Sequence, residues 1–412
     1  MKQFITAFLI MAWVGAAERP SVQAIPLAEN IIHVDGDLSE SIWESAMTYP
    51  RFTQRNPDEG LPATENTGFA VLFDSQNLYV GIIAHTDDPS QIRKILSRRD
   101  ARIPSDWLYV SLDSYNDNRT AFEFGLNPMG VKRDLRRYDD ENLDLNWDAI
   151  WEGKASLTDG GWSVEFKIPF RELRFAEQDH AVWGLQIYRY IAVKNEEDYW
   201  SFWSKEESGQ VRHYGELNGL DNIALQNNIQ ISPYVTGSYD SFEGYVNPVH
   251  PQDYNILSTF GADIKYGITN NLTLDISLNP DFGQVEADPA ELNISSFESF
   301  FEEKRPLFVE GGNIFNFALG FGDGDDGRNT LFYSRRIGRM PHDYASSQDL
   351  VYYATNPKAT RIHGAAKISG KTANGFSIGI LDAVTAKETA EIKYMDGTSD
   401  SYTVEPLTNY FV

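Results

Sequence analysis

Between Ile25 and about residue 222, apolar positions recur every second residue in short runs at 69–84, 107–112, 161–168 and 183–193, separated by polar turns. Period-two alternation in short segments predicts an all-β sandwich, immunoglobulin- or jelly-roll-like. The early helix candidate is LSESIWESA, where Ser39 can cap and Ile42, Trp43 and Ala46 can face a core.

Beyond residue 222 the pattern lengthens. In STFGADIKYGITNNLTLDISLNPDFG, Phe260, Ala262, Ile264, Tyr266 and Ile268 share one face, opposite Gly261, Asp263, Lys265 and Gly267. After Thr269-Asn270-Asn271, Leu272, Leu274, Ile276 and Leu278 oppose Thr273, Asp275 and Ser277. RIHGAAKISGKTANGFSIGILDAVT repeats the theme. Strands of about ten residues with one apolar and one polar face suit an antiparallel barrel spanning a bilayer. A second soluble sandwich with one wet face carries the same alternation.

Candidate strands fall at 228–237, 258–268, 272–279, 361–369, 376–385 and the terminal stretch, with 330–337 and 351–355 as further segments. Single-chain bacterial barrels close with at least about eight strands, so this region is expected to be the start of a longer, incomplete transmembrane β-barrel. Asp288 as cap, Pro289 in the first turn and Glu291 completing a capping box predict a short helix over 289–303, ended by Pro306.

The first residues, MKQFITAFLIMAWVGAAERPSVQA, place one lysine before an apolar core at 4–14 and then small residues, the pattern of an export signal. The preferred cut follows Val22-Gln23-Ala24, with Gly15-Ala16-Ala17 as the alternative. The run is too short for a membrane-spanning helix. Export and the absence of a long apolar helix weigh toward the barrel. The resulting partition is 1–24 signal, 25–222 sandwich and 223–412 barrel start.

Charge and composition narrow the chemistry. A net charge of -25, from 35 basic against 60 acidic residues, excludes nucleic acid as a natural partner. With no cysteine, disulfides, thiolate metal sites and a Cys nucleophile are excluded. Asp113, Asn116, Asp117 and Asn118 offer the hard oxygens that calcium takes, and are equally the residues that favour a strand-connecting turn. No other cofactor is indicated. Asp139, Asp140, Glu141 and Asp144 could supply a carboxylate pair for glycoside hydrolysis, although no spacing isolates an acid from a base.

Of nine tryptophans, Trp43 and Trp162 fall at core positions, whereas Trp107, Trp147, Trp151, Trp200 and Trp203 border polar turns and are candidates for stacking on sugar rings. GFGDGDDG has glycines at dinucleotide-loop spacing, but its aspartates repel a pyrophosphate. No paired-His metal motif and no GxSxG elbow occurs.

The ordered set IHVDGDLSESIWESA, FDSQNLYVGI, SDWLYVSLDSYNDNRTAFEFGLNPMGVKRD, WDAIWEG, GWSVEFKIPFRELRF and WGLQIYRYI resembles the carbohydrate-binding module family 9-like domain found at the N-terminus of bacterial outer-membrane proteins. LNPDFGQVEADPAELNISSFESFFEEKRPLFVEGGNIF resembles the start of the barrel family of unknown function that follows it. The resemblance implies a sandwich in the periplasm or at the cell surface, a glycan or oligosaccharide ligand, and an anchor among outer-membrane lipids. In sugar-binding members, an acid and a base occupy positions that align roughly with Tyr109 and Gly125; this chain carries neither.

The expected function is an exported, outer-membrane-associated carbohydrate-binding protein. The alternatives are a component of glycan-degrading hydrolysis, and a structural or transport barrel whose sandwich docks something other than sugar.

Overall fold

The computed structural model of the chain describes residues 19–28, 31–145, 147–175, 180–221, 223, 229–241, 254–269, 272–280, 301, 303–309, 311–315, 317, 330–345, 351–372 and 376–412. The chain divides into two compact units: Met1–Leu145, Ala149–Pro169 and Gln178–Ile223 form the first, and Asn146–Asp148, Phe170–Glu177 and Ala224–Val412 the second.

In chain order the first unit contains β1 (Ser21–Gln23), β2 (Ile25–Pro26), α1 (Ser41–Ala46), β3 (Thr53–Asn56), β4 (Thr67–Phe73), β5 (Asn77–His85) and β6 (Trp107–Asp113). It continues with β7 (Ala121–Leu126), β8 (Lys132–Tyr138), β9 (Asn142–Asp144), β10 (Glu152–Thr158) and β11 (Gly161–Pro169). The last strands are β12 (His180–Ile191), β13 (Glu196–Tyr199) and β14 (Gly215–Asp221). One sheet runs β1-β14-β12-β6-β7-β8-β9, with β13 and β3 added beside β12, and the other runs β10-β11-β5-β4-β2.

Alternation assigns the faces. Leu108, Val110 and Leu112 on β6, Phe122, Phe124 and Leu126 on β7, and Leu185 and Ile187 on β12 are fully or almost fully buried. They share one side of the first sheet, as every second residue must. Phe124 meets Trp151 edge-on at 5.4 Å, and Trp151 stacks on Phe166 of β11 at 5.7 Å, which joins the two sheets through aromatic carbon. The opposite side of β6 and β12 carries Trp107, Tyr109, Ser111, Gln186, Tyr188 and Tyr190.

Two expectations change here. Helix α1 starts at Ser41 with Glu40 as its N-cap, so Ser39 is not the cap; the Glu40 carboxylate accepts from the His33 backbone instead. Residues 21–23, assigned above to a leader cut after Ala24, form a strand: β1 pairs in parallel with β14, Ser21 to Glu216 through Gln23 to Asn218. Ala24 is buried and its N–H donates to Asn218 at 2.8 Å, because the edge of β14 has backbone groups to satisfy. The sandwich thus includes residues upstream of 25.

The second unit contains β15 (Ile229–Ser241), β16 (Tyr254–Gly267), β17 (Leu272–Leu278), α2 (Pro306–Val309), β18 (Val351–Thr355), β19 (Ile362–Lys371), β20 (Ser377–Thr385), β21 (Glu388–Tyr394), β22 (Ser399–Glu405) and β23 (Thr408–Phe411). An antiparallel sheet of order β15-β16-β17-β19-β20-β23 uses the six stretches read from the alternation. Among the described residues it is an open sheet and not a closed barrel. The segment 351–355 joins a separate sheet, β18-β21-β22. The helix predicted over 289–303 lies outside the described residues apart from 301 and 303, which are not helical. Pro306 opens a helical turn rather than closing one, as suits a residue with no N–H to satisfy.

This sheet is apolar on its exposed side. Ile229, Ile231, Val235, Ile256 and Phe260 are exposed, whereas Thr273, Asp275, Ser277, Lys367 and Ser369 are buried. The register aligns Lys265, Asp275 and Lys367 across three strands. The Lys367 ammonium donates to the Leu307 carbonyl at 2.5 Å and lies 3.4 Å from Asp275. The segment holding α2 covers this side, where Phe308 and Phe315 also pack with Ala365, Leu381 and Ala383. It is fixed by buried Arg305, which donates to the Ile337 and Ser334 carbonyls and pairs with Glu303 at 2.7 Å.

Candidate functional site

A groove of about 510 Å³ opens on the side of the first sheet that faces away from the second, lined from β6, β7, β8, β12, β13 and the 102–103 segment. Its floor is an aromatic row made by register. Tyr188 is paired with Tyr109 on one side and with Tyr199 on the other, so three tyrosines from three strands stand at one level. Ring centroids are 5.4 Å apart for Tyr109 and Tyr188 and 4.7 Å for Tyr188 and Tyr199, with tilts of 28° and 24°. Trp107 extends the row, stacked on Tyr109 at 5.6 Å. Each such pair contributes about 0.5–1.5 kcal/mol beyond its buried area.

Because the rings stack on one another, the groove receives mainly ring edges and phenol hydroxyls. Burial raises the Tyr109, Tyr188 and Tyr199 phenols well above the ordinary tyrosine range, so each keeps an O–H to donate. The Tyr109 hydroxyl accepts from Arg133 at 3.3 Å. The Tyr188 and Tyr199 hydroxyls have no protein hydrogen-bond partner among the described residues, yet neither is sealed from solvent. Beside the row, Glu123 is oriented by Arg137 and Ser111, each at 3.0 Å. Tyr190 donates to Asn195 at 3.1 Å at the rim. The arrangement can meet a ligand that presents many hydroxyls over a carbon framework.

Of the tryptophans singled out by sequence, Trp107 lines the groove. Trp203 is buried behind the row, edge-on to Tyr199 at 4.7 Å with the Arg55 guanidinium over its ring at 4.6 Å. Trp147, Trp151 and Trp200 are buried as Trp107 is, but unlike it they do not line the groove. Trp151 packs between the sheets, and Trp200 meets Phe69 edge-on at 5.2 Å over a space that Gly215 leaves open. Proximity to a polar turn did not mark exposure, because the rings of Trp151 and Trp200 pack against Phe124, Phe166 and Phe69 inside the sandwich.

The cluster proposed for calcium is a turn held by its own backbone. The buried Asp113 carboxylate accepts from the Asp117 and Asn118 N–H groups at 3.2 and 2.8 Å. Asp117 accepts from Arg119 and Thr120, both at 2.7 Å. Asn116 and Asn118 adopt positive φ of 50° and 56°, and Arg19 donates to the Asn118 side chain at 3.0 Å. The Asp113 and Asp117 oxygens are therefore spent on closing the turn, and among the described residues no group of three acidic or His side chains is placed to hold a metal ion. Burial lifts Asp113 to about 7.

The acidic run 139–144 is likewise engaged. Asp139 pairs with Arg119 at 2.7 Å, Asp140 with Arg212, and Asp144 with Arg136 at 2.7 Å, while Glu141 accepts from the Gly209 N–H. The glycine-rich segment 320–327 lies outside the described residues.

Sequence reasoning missed Tyr188, Tyr190, Tyr199, Arg133 and Glu123. The available signal was aromatic residues at alternate positions, WLY in β6 and YRY in β12, on the strand side that a solvated sheet would make polar.

Among known proteins, residues 227–412 match a family model described as a domain of unknown function, DUF5916. A comparison with curated proteins finds no match. Among solved structures, the chain is similar to a carbohydrate binding module family 9 from Caldicellulosiruptor kristjanssonii in complex with cellotriose, at 15% identity and a TM-score of 0.35, covering 50% of this chain and 98% of that one. It is also similar to a putative carbohydrate-binding protein from Bacteroides uniformis, at 11% identity and a TM-score of 0.41, covering 49% and 100%. At these scores they are likenesses only, and the groove's own geometry is what bears on function.

Proposed function

We propose that the protein is exported and binds saccharide in the groove of its first unit, while its second unit sits among outer-membrane lipids. The observation that carries the binding reading is the aromatic row Trp107, Tyr109, Tyr188 and Tyr199, with unpartnered phenol hydroxyls in a groove of saccharide size. A sugar combines hydroxyls that need donors and acceptors with C–H surfaces that need carbon, and such a mixed wall serves both.

The membrane reading is supported by the exposed apolar side of the second unit's sheet, opposite the buried polar groups of β17 and β19. Water-exposed sheets put their polar side out, whereas a lipid-facing sheet puts apolar residues out and polar ones in. Among the described residues no helix is long and apolar enough to cross a membrane. A cut at the 15–17 small-residue site is the one compatible with keeping β1 in the sandwich.

Calorimetric titration of the full chain with cello- and uronate oligosaccharides tests the binding reading. Measurable heats that vanish in Tyr188→Ala support it. Absence of binding across a broad glycan panel, with the protein folded, overturns it.

A further inference from the structure

On the premise that the groove binds saccharide, the geometry points to an acidic sugar, one whose carboxylate or sulfate ester is held by Arg133 and Arg102. The chain carries a net charge of -25, yet the groove gathers Arg102, Arg133 and Arg137 against only Glu123 and Glu197. Those carboxylates are already engaged: Glu123 pairs with Arg137 at 3.0 Å, and Glu197 accepts from the Asn56 amide at 2.8 Å.

Arg133 is half-buried and donates to the Tyr109 hydroxyl at 3.3 Å, and Arg102 stands exposed at the mouth. Among the described residues neither has a carboxylate partner. In so acidic a protein, two guanidiniums at one groove without counter-charge reverse the general surface composition. The hydroxyls of a neutral sugar can accept from Arg133 but would leave its charge without a counter-charge as the groove is desolvated. A planar carboxylate or a sulfate instead meets the guanidinium fork with two parallel charge-assisted bonds. The Tyr109 hydroxyl, accepting from Arg133, keeps its own hydrogen to donate to the same group, and the Tyr188 and Tyr199 hydroxyls are left for the sugar's neutral oxygens.

The test is titration of the full chain with trigalacturonate, a sulfated disaccharide and cellotriose, at low salt and at about 0.5 M salt. An acidic probe is expected to bind about tenfold or more tighter than cellotriose at low salt. That preference should shrink in high salt and collapse in Arg133→Gln; Arg102→Gln, at an exposed position, provides the same reading if the first variant folds poorly. Comparison of the uronate and sulfate probes identifies the anionic group. Cellotriose binding as tightly as both acidic probes, or a preference that survives both substitutions, overturns the assignment while leaving saccharide binding intact. A folded chain that binds none of the three removes the saccharide reading as well.

Discussion

Tyr109 lies over Gly125, its partner across β6 and β7: a Cβ on Gly125 would stand 2.3 Å from the tyrosine Cε1. The bare backbone lets the ring lie where it can stack between Trp107 and Tyr188. Tyr109 and Gly125 are thus one coupled unit, a ring and the space for it.

Gly125→Ala is expected to displace the Tyr109 ring and to lower stability by about 1–3 kcal/mol, since overpacking in a close-fitted site forces neighbours off their rotamers. Saccharide affinity should fall with it. In a thermal double-mutant cycle with Tyr109→Ala the two effects should be strongly non-additive, because removing the ring removes the clash. Additivity would show that ring and glycine do not meet.

Trp107→Ala and Trp151→Ala should separate binding from folding. The first should weaken ligand binding while leaving a cooperative transition. The second opens a cavity between the sheets and should destabilise by about 3–5 kcal/mol. Loss of binding in a folded Trp151→Ala chain, with binding unchanged in Trp107→Ala, would contradict the placement of Trp107 in the groove.

A chain starting at residue 25 should melt lower than one starting at residue 18. It lacks the pairing of β1 with β14 and the Ala24 N–H to Asn218 bond. At about 1 kcal/mol per hydrogen bond and about 2–4 °C per kcal/mol for a domain of this size, the difference is easily read by calorimetry. Identical melting temperatures would show that β1 is dispensable.

Five buried carboxyls set the pH response of the first unit. Burial raises Asp106 and Asp134 to about 6, Asp113 and Glu165 to about 7, and Asp198 to about 8. The folded state holds these protons when the unfolded chain, titrating near 3.8 for Asp and 4.5 for Glu, has released them. Stability is then fully present below the unfolded values and is lost as pH rises through the folded ones. The unit should melt higher at about pH 5 than at about pH 8. Asp198→Asn should flatten the upper part of that slope, and a rise in stability across the window would refute the attribution.

Ile264→Arg, on the apolar side of the second unit's sheet, should impair insertion into lipid vesicles, at a cost of about 2–4 kcal/mol near a bilayer midplane. Ser277→Ala, on the polar side, should not. Flotation of both variants with vesicles reads the difference, and equal insertion would sink the assignment of the lipid-facing side.

The sequence by itself determined the strands and their two sides wherever one side is apolar and the other polar. Period-two alternation leaves no choice in runs such as 258–268 and 272–279, and β16 and β17 follow it. It likewise determined that Asp113 to Asn118 suits a turn, because local side-chain to backbone bonds need no distant partner. Tertiary structure decided what depends on register between strands far apart in the chain. WLYVSLD is covered on both sides, so its composition does not say which side is core; that follows from where β12 and β11 lie. The row of Tyr109, Tyr188 and Tyr199 exists only because β6, β12 and β13 align at one level. The tryptophans divided on the same ground: a ring's neighbours in sequence fix its chemistry, whereas the strands packed around it fix whether a ligand can reach it.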